Sequence, residues 1–297
     1  MESRKILMNQ GIIFAFLTIL LFGSWAVPTK TLKIDPQVQA FWLTIGHFLL
    51  SAVIFIFFAA PLTLNQSILP LSAGILWGLG IISGYVGIRN LGITRALGTW
   101  MPTVIIVSAL WGLIFFGQAF TLGPWKLTLT ILGIVLLVIA AISVIFSGKD
   151  EGKIKNLKFG VLASLTLGLF HGSFFVPLRA SPLSIYTTFL PLTVGMVLTT
   201  FIIVSYKKLK IVHGPIEIGR MILAGLILGA GNYTALLTTQ YLGVAQGYPL
   251  TQAGIIVNTL WGVLVFKEAT TKKGKVLIAI GVALAILGAV VLNSARV

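Results

Sequence analysis

The residues of this chain best placed to do chemistry are the polar side chains inside its long apolar runs. The richest group is Asn232, Tyr233, Thr234, Thr238, Thr239 and Gln240 in one run, then Gln246, Tyr248, Thr251, Gln252, Asn258 and Thr259 in the next. Each amide offers donors and acceptors together, and aromatic faces add apolar contact. Such a set suits a neutral polyol, although the same groups can also bond helices to one another in a bilayer. His47 and His171 lie inside two further runs. Histidine titrates near neutrality and can relay protons, or it can serve as an internal hydrogen-bond donor. No Asp or Glu occupies the middle of a run, which argues against a strongly ion-driven pump. Glu268 ends one run, with Lys267 and Lys272 as its nearest cations. There is no phosphate-cradling glycine loop, no cluster of metal ligands and no nucleophile–base–acid set. With no cysteine either, nothing points to an enzyme, a metal site or a cofactor.

The elements that must position these residues are membrane spans. The chain has 297 residues, is 57% hydrophobic and 9% charged, and has a mean hydropathy of +1.05. A soluble domain carries about 25% charged residues. The net charge of +15 could suggest nucleic acid, but the cations cluster in short connections between apolar runs. There they meet anionic headgroups, so the expected partners are membrane lipid and a small solute, not nucleic acid. Arg4-Lys5 ahead of an apolar run resembles a signal peptide without a small-residue cleavage pattern, and the run reads as the first span. About 20 apolar residues cross the hydrocarbon layer. Ten runs qualify: 7–28, 37–59, 70–91, 97–117, 123–146, 157–178, 183–206, 216–240, 244–266 and 273–292. They are continuous rather than alternating, so helices are expected.

The spans form two related sets. Gly23-Ser24-Trp25-Ala26-Val27-Pro28-Thr29-Lys30 returns as Gly172-Ser173-Phe174-Phe175-Val176-Pro177-Leu178-Arg179, and Leu110-Trp111-Gly112 returns as Leu260-Trp261-Gly262. Residues 1–148 and 157–297 are thus two five-span repeats joined by a linker at 149–156. An odd number of spans per repeat makes the repeats inverted. Of the 21 Lys and Arg, only Arg4, Lys5, Lys126, Arg179 and Arg296 fall on one side of the membrane. The positive-inside rule then puts the linker in the cytoplasm and both termini outside. Gly74, Gly78, Gly80 and Gly84 in the third span, with Gly225 and Gly229 in the eighth, predict close helix approach. Pro28, Pro102, Pro177 and Pro249 lie inside or at the ends of spans; the repeat-related Pro28 and Pro177 are either paired hinges or simple helix ends.

Ten spans in two inverted halves, each with a Gly-Ser-aromatic-x-Val-Pro-x-cation signature, resemble the drug/metabolite transporter superfamily. Gly231-Asn232, the stretch Leu242-Gly243-Val244-Ala245-Gln246-Gly247-Tyr248-Pro249-Leu250-Thr251-Gln252, Leu260-Trp261-Gly262 and Phe266-Lys267-Glu268 are more specifically similar to the glucose/ribose porters. The resemblance implies sugar uptake through a central cavity by alternating access, with proton coupling left open. The expected cavity residues are Trp25, Trp77, His171, Asn232, Gln246, Gln252 and Asn258, with His171 the candidate for proton linkage. A monomer or weak homodimer suffices. Two alternatives stay open: export of amino acids or other metabolites, and a non-transporting receptor or lipid-modifying enzyme.

Overall fold

A computed structural model describes residues 2–111, 123–147, 155–242, 251, 253–268 and 271–294. The first five helices are α1 (Glu2–Ser24), α2 (Pro36–Phe58), α3 (Leu64–Leu91), α4 (Ile93–Leu110) and α5 (Pro124–Ile145). After them come α6 (Leu157–Ser173), the short α7 (Phe175–Ala180), α8 (Ile185–Tyr206), α9 (Pro215–Leu242), α10 (Gly254–Leu260) and α11 (Lys272–Ser294). A 3₁₀ turn at Val27–Thr29 follows α1, and a π-turn at Trp261–Val265 extends α10. Eight helices among the described residues are long and apolar enough to cross a membrane. The sequence-predicted fourth and ninth spans run into residues outside the described set.

Local chemistry starts these helices where they start. The Asp35 carboxylate accepts from Gln37 N at 2.9 Å and Pro36 takes the first position of α2, satisfying a donor that the helix leaves open. Gln66 Oε1 accepts from Thr63 N at 3.1 Å ahead of α3, and Asn156 Oδ1 accepts from Phe159 N at 3.0 Å at the start of α6. Gly92 alone separates α3 from α4, at φ +85°. That left-handed conformation favours glycine, and an added Cβ would also press on the Glu268 carboxylate.

The helices pack as α1 on α9 and α10, α2 on α8 and α9, α3 on α6 and α8, α4 on α5, α6 and α10, and α5 on α11. Two contacts are backbone on backbone. Gly46 of α2 meets Gly225 of α9, and Gly74 of α3 meets Gly195 of α8; a Cβ on any of the four would collide with a main-chain carbonyl. The expected close approach at Gly74 and Gly225 is therefore present, and each glycine finds another glycine as its partner. Phe16, Ile56, Phe57, Leu162, Ile202 and Leu264 stand exposed on the outer surface, where lipid is the solvent that suits them.

Candidate functional site

One end of the bundle is tied by Glu268. Its Oε1 receives Lys30 Nζ at 2.5 Å and Ile93 N at 2.7 Å, and its Oε2 receives Thr94 N at 2.8 Å. The carboxylate thus caps the first turn of α4, where a negative charge is favoured, and binds the turn after α1 to the end of the π-turn. Glu268 is only 6% exposed, and the Lys30 ammonium lies 5.8 Å from the centre of the Phe266 ring. The sequence pointed to Lys267 or Lys272 as partners; the structure pairs the carboxylate with Lys30. Chain proximity misled because a carboxylate pairs with what the fold brings to it, and the turn at Val27–Thr29 delivers Lys30. At the same end, Arg220 donates from Nε to Pro28 O at 2.8 Å and from a terminal nitrogen to Thr31 Oγ1 at 2.6 Å.

Beneath this junction lies a sealed aromatic group. Trp25 stacks near Trp100 at 6.3 Å between centroids and meets Tyr85 edge-on at 5.7 Å. The Tyr85 and Thr29 hydroxyls share a hydrogen bond of 3.3 Å. All four side chains are buried. Aromatic rings prefer offset or edge-on neighbours at such distances.

A second series of rings runs from the centre to the opposite end, where α2 stops and α8 begins. Halfway along α3, Trp77 stacks on His171 at 4.6 Å and 21°, and His171 Nε2 lies 3.1 Å from Trp77 O. His47 stands edge-on to the Trp77 ring at 5.5 Å. Phe189 follows at 5.9 Å from His47, Tyr233 at 4.3 Å from Phe189, Tyr186 at 6.4 Å from Tyr233, and Phe58 at 5.9 Å from Tyr186. Along this series, both ring nitrogens of His47 and the Tyr233 hydroxyl are buried without a hydrogen-bond partner.

The structure brings Trp77 and His171 together, while Trp25, in the same buried core as Trp77, has its ring against Trp100 and Tyr85. Asn232 is half-buried beside Tyr233 on α9. Asn258 on α10 is 1% exposed, and its Oδ1 has no partner. Gln246 and Gln252 lie outside the described residues, as does Pro249. Pro28 sits in the 3₁₀ turn that ends the first span. Pro177 lies in α7, after a break at Phe174 that separates α7 from α6. The described residues at mid-depth pack ring against ring, and a cleft of about 400 Å³ lies at the Lys30 end, beside Asp35, Gln37, Arg89, Asn90 and Lys155. Sequence reasoning left Phe189, Tyr85 and Trp100 unmentioned, because a lone aromatic in an apolar run carries no signal of its neighbours.

Comparison with known proteins gives a consistent result. A family model described as sugar transport protein matches residues 13–295. The chain is 30% identical over 292 residues to the glucose uptake protein GlcU of Bacillus subtilis strain 168, covering 97% of this chain and 99% of that one. It is 28% identical over 296 residues to "Probable glucose uptake protein GlcU" of Bacillus cereus strain ATCC 10987, covering 97% and 100%. A solved crystal structure with 16% identity shares the fold at a TM-score of 0.62, covering 97% of this chain and 99% of that chain.

Proposed function

Since this chain belongs to the sugar transport protein family, we propose that it carries glucose, ribose or a similar small sugar into the cell by alternating access of two inverted halves. The observation that carries the reading is a pair of matching bonds. Trp261 Nε1 donates to Ser24 Oγ at 3.0 Å, and Trp111 Nε1 donates to Ser173 Oγ at 2.8 Å. Each bond joins the end of one half's first span to the other half's signature tryptophan. The same exchange supports relating Gly23 against Val257 to Gly172 against Val107, and the Gly46–Gly225 contact to Gly74–Gly195. In this reading ten spans form halves 1–148 and 157–297, the linker is cytoplasmic and both termini are outside.

The Lys30–Glu268 junction then closes the cytoplasmic face. By sequence register alone its counterpart across the repeat is Arg179 with Gln118, a cation with a neutral amide. A charged pair holds more firmly than a charge opposite a dipole, so the resting carrier is shut towards the cytoplasm and opens first to the outside. Pro28 and Pro177, each beside a break in helical geometry, act as the paired hinges. Trp77 and His171 offer ring faces to the CH side of a sugar, while Asn232, Asn258, Gln246 and Gln252 bind its hydroxyls. His171 touches Trp77 at mid-depth and is the residue through which a proton would be coupled.

Uptake of radiolabelled glucose, ribose and rhamnose into proteoliposomes, with and without an inward proton gradient, tests this. Saturable uptake that the gradient enhances, with the enhancement lost in His171→Ala, is the expected result. Uptake indifferent to the gradient removes the role given to His171. Transport of amino acids with no sugar uptake overturns the sugar reading.

A further inference from the structure

We propose that His47 and Tyr233 form a further hydroxyl-binding subsite of this carrier, beside the amides, and that the rings from Tyr186 to Trp77 are the path by which sugar reaches it; this rests on the sugar-transport reading above. Three polar atoms carry the argument. His47 Nδ1, His47 Nε2 and Tyr233 Oη have no hydrogen-bond partner, although His47 is fully buried and Tyr233 is 6% exposed. A buried polar atom without a partner is costly, and each instance in a folded protein calls for an explanation.

The surrounding helix contacts make the pattern selective. Across the same α2–α8 contact, Ser51 pairs with Thr193 at 2.6 Å and Thr44 with Thr200 at 2.9 Å. On α9, Thr234 directly after Tyr233 bonds Thr18 at 2.8 Å. These hydroxyls found partners, whereas His47 and Tyr233, on either side of Phe189 at 5.9 and 4.3 Å, did not. Nor can the helices easily shift to cure the defect. The backbone contact of Gly46 with Gly225 pins α2 to α9 beside His47, and a Cβ added at Gly229 would press on the His47 ring.

A neutral imidazole carries one donor and one acceptor, and a phenol carries both functions. Together they match two neighbouring hydroxyls of a sugar ring, whose CH face would lie on Trp77 or Phe189. Phe189 fills the space between the two polar groups and must swing aside as sugar enters. The series of rings continues to Tyr186 and Phe58 at the mouth, so a sugar would meet an aromatic face at each step.

The test compares glucose with its monodeoxy analogues as competitors of glucose uptake by the purified full-length protein in proteoliposomes. In the wild type, removing a bound hydroxyl weakens competition about tenfold, the scale of one hydrogen bond. In Tyr233→Phe, the KM for glucose rises about tenfold, more than the maximal rate falls, and discrimination against one deoxy sugar disappears. The sugar-free thermal midpoint stays level or rises, because the change removes an unpaired hydroxyl. His47→Phe behaves alike for a neighbouring hydroxyl. If the wild type takes up glucose while Tyr233→Phe keeps both its KM and its discrimination, the subsite is wrong and the sugar-transport reading stands. A lowered thermal midpoint with unchanged KM identifies a structural hydroxyl and overturns the subsite equally. A wild type that takes up no sugar overturns both.

Discussion

The two aromatic regions differ in how completely they are satisfied. Towards Lys30 and Glu268, the rings of Trp25, Trp100 and Tyr85 are buried, the Tyr85 hydroxyl has Thr29, and a carboxylate with three donors closes the end. Towards Tyr186, the rings are just as close together, yet three polar atoms on His47 and Tyr233 have nothing to bond. Apolar burial alone does not separate the regions. The pairing of the ring-borne polar groups does: the Tyr85 hydroxyl is bonded while those of His47 and Tyr233 are not, although Thr94 Oγ1 beside Glu268 is also unpartnered.

The largest expected effect comes from breaking the seal. In Glu268→Gln, Lys30 loses its counter-charge and the first turn of α4 loses its anion, a combined loss of about 3 kcal/mol for a buried pair. Thermal unfolding in detergent should fall accordingly, and uptake should drop more than tenfold as the Lys30–Glu268 end opens prematurely. Unchanged stability would show that the seal carries little.

A second, somewhat smaller effect concerns the frame shared by both regions. Gly225→Val sets a branched side chain against the Leu43 carbonyl, and overpacking of this kind costs about 1–3 kcal/mol. Gly219→Ala, on the same helix with open space around it, should instead stabilise by about 0.5–1 kcal/mol. Equal melting shifts for the two variants would contradict the backbone contact.

The smallest effects draw the comparison most sharply. Tyr85→Phe loses the bond to Thr29 and should cost about 1 kcal/mol. Tyr233→Phe should cost nothing in the absence of sugar. Paired melting curves that moved together would erase the distinction between the regions.

The sequence carried the helices further than it carried contacts. Continuous apolar runs placed the described spans, and the repeated Gly-Ser and Leu-Trp-Gly motifs singled out Ser24, Ser173, Trp111 and Trp261. That the serine of one motif bonds the tryptophan of the other, in the opposite half, is a fact of packing that local pattern cannot express. Glu268 makes the same point, since its adjacent lysines suggested a partner that the turn at Val27–Thr29 replaced with Lys30. Among the candidate cavity residues, Trp77 and His171 were recognisable as mid-span aromatic and titratable groups, and they do meet. His47 looked like an ordinary buried histidine, because its lack of partners depends on Phe189 and Tyr233, which arrive from α8 and α9. Gln246 and Gln252 lie outside the described residues, so their place in the cavity stays a proposal.

Because the chain has no cysteine of its own, single cysteines can report which end is open. Ala26→Cys lies inside the seal and Tyr186→Cys lies at the mouth of the ring series. The measurement is labelling of each by a water-soluble maleimide in sealed and permeabilised vesicles, with and without glucose. The account predicts that, without sugar, Tyr186→Cys reacts and Ala26→Cys does not, and that glucose or Glu268→Gln exposes Ala26→Cys. Rapid labelling of Ala26→Cys in the sugar-free protein with Glu268 intact would contradict it.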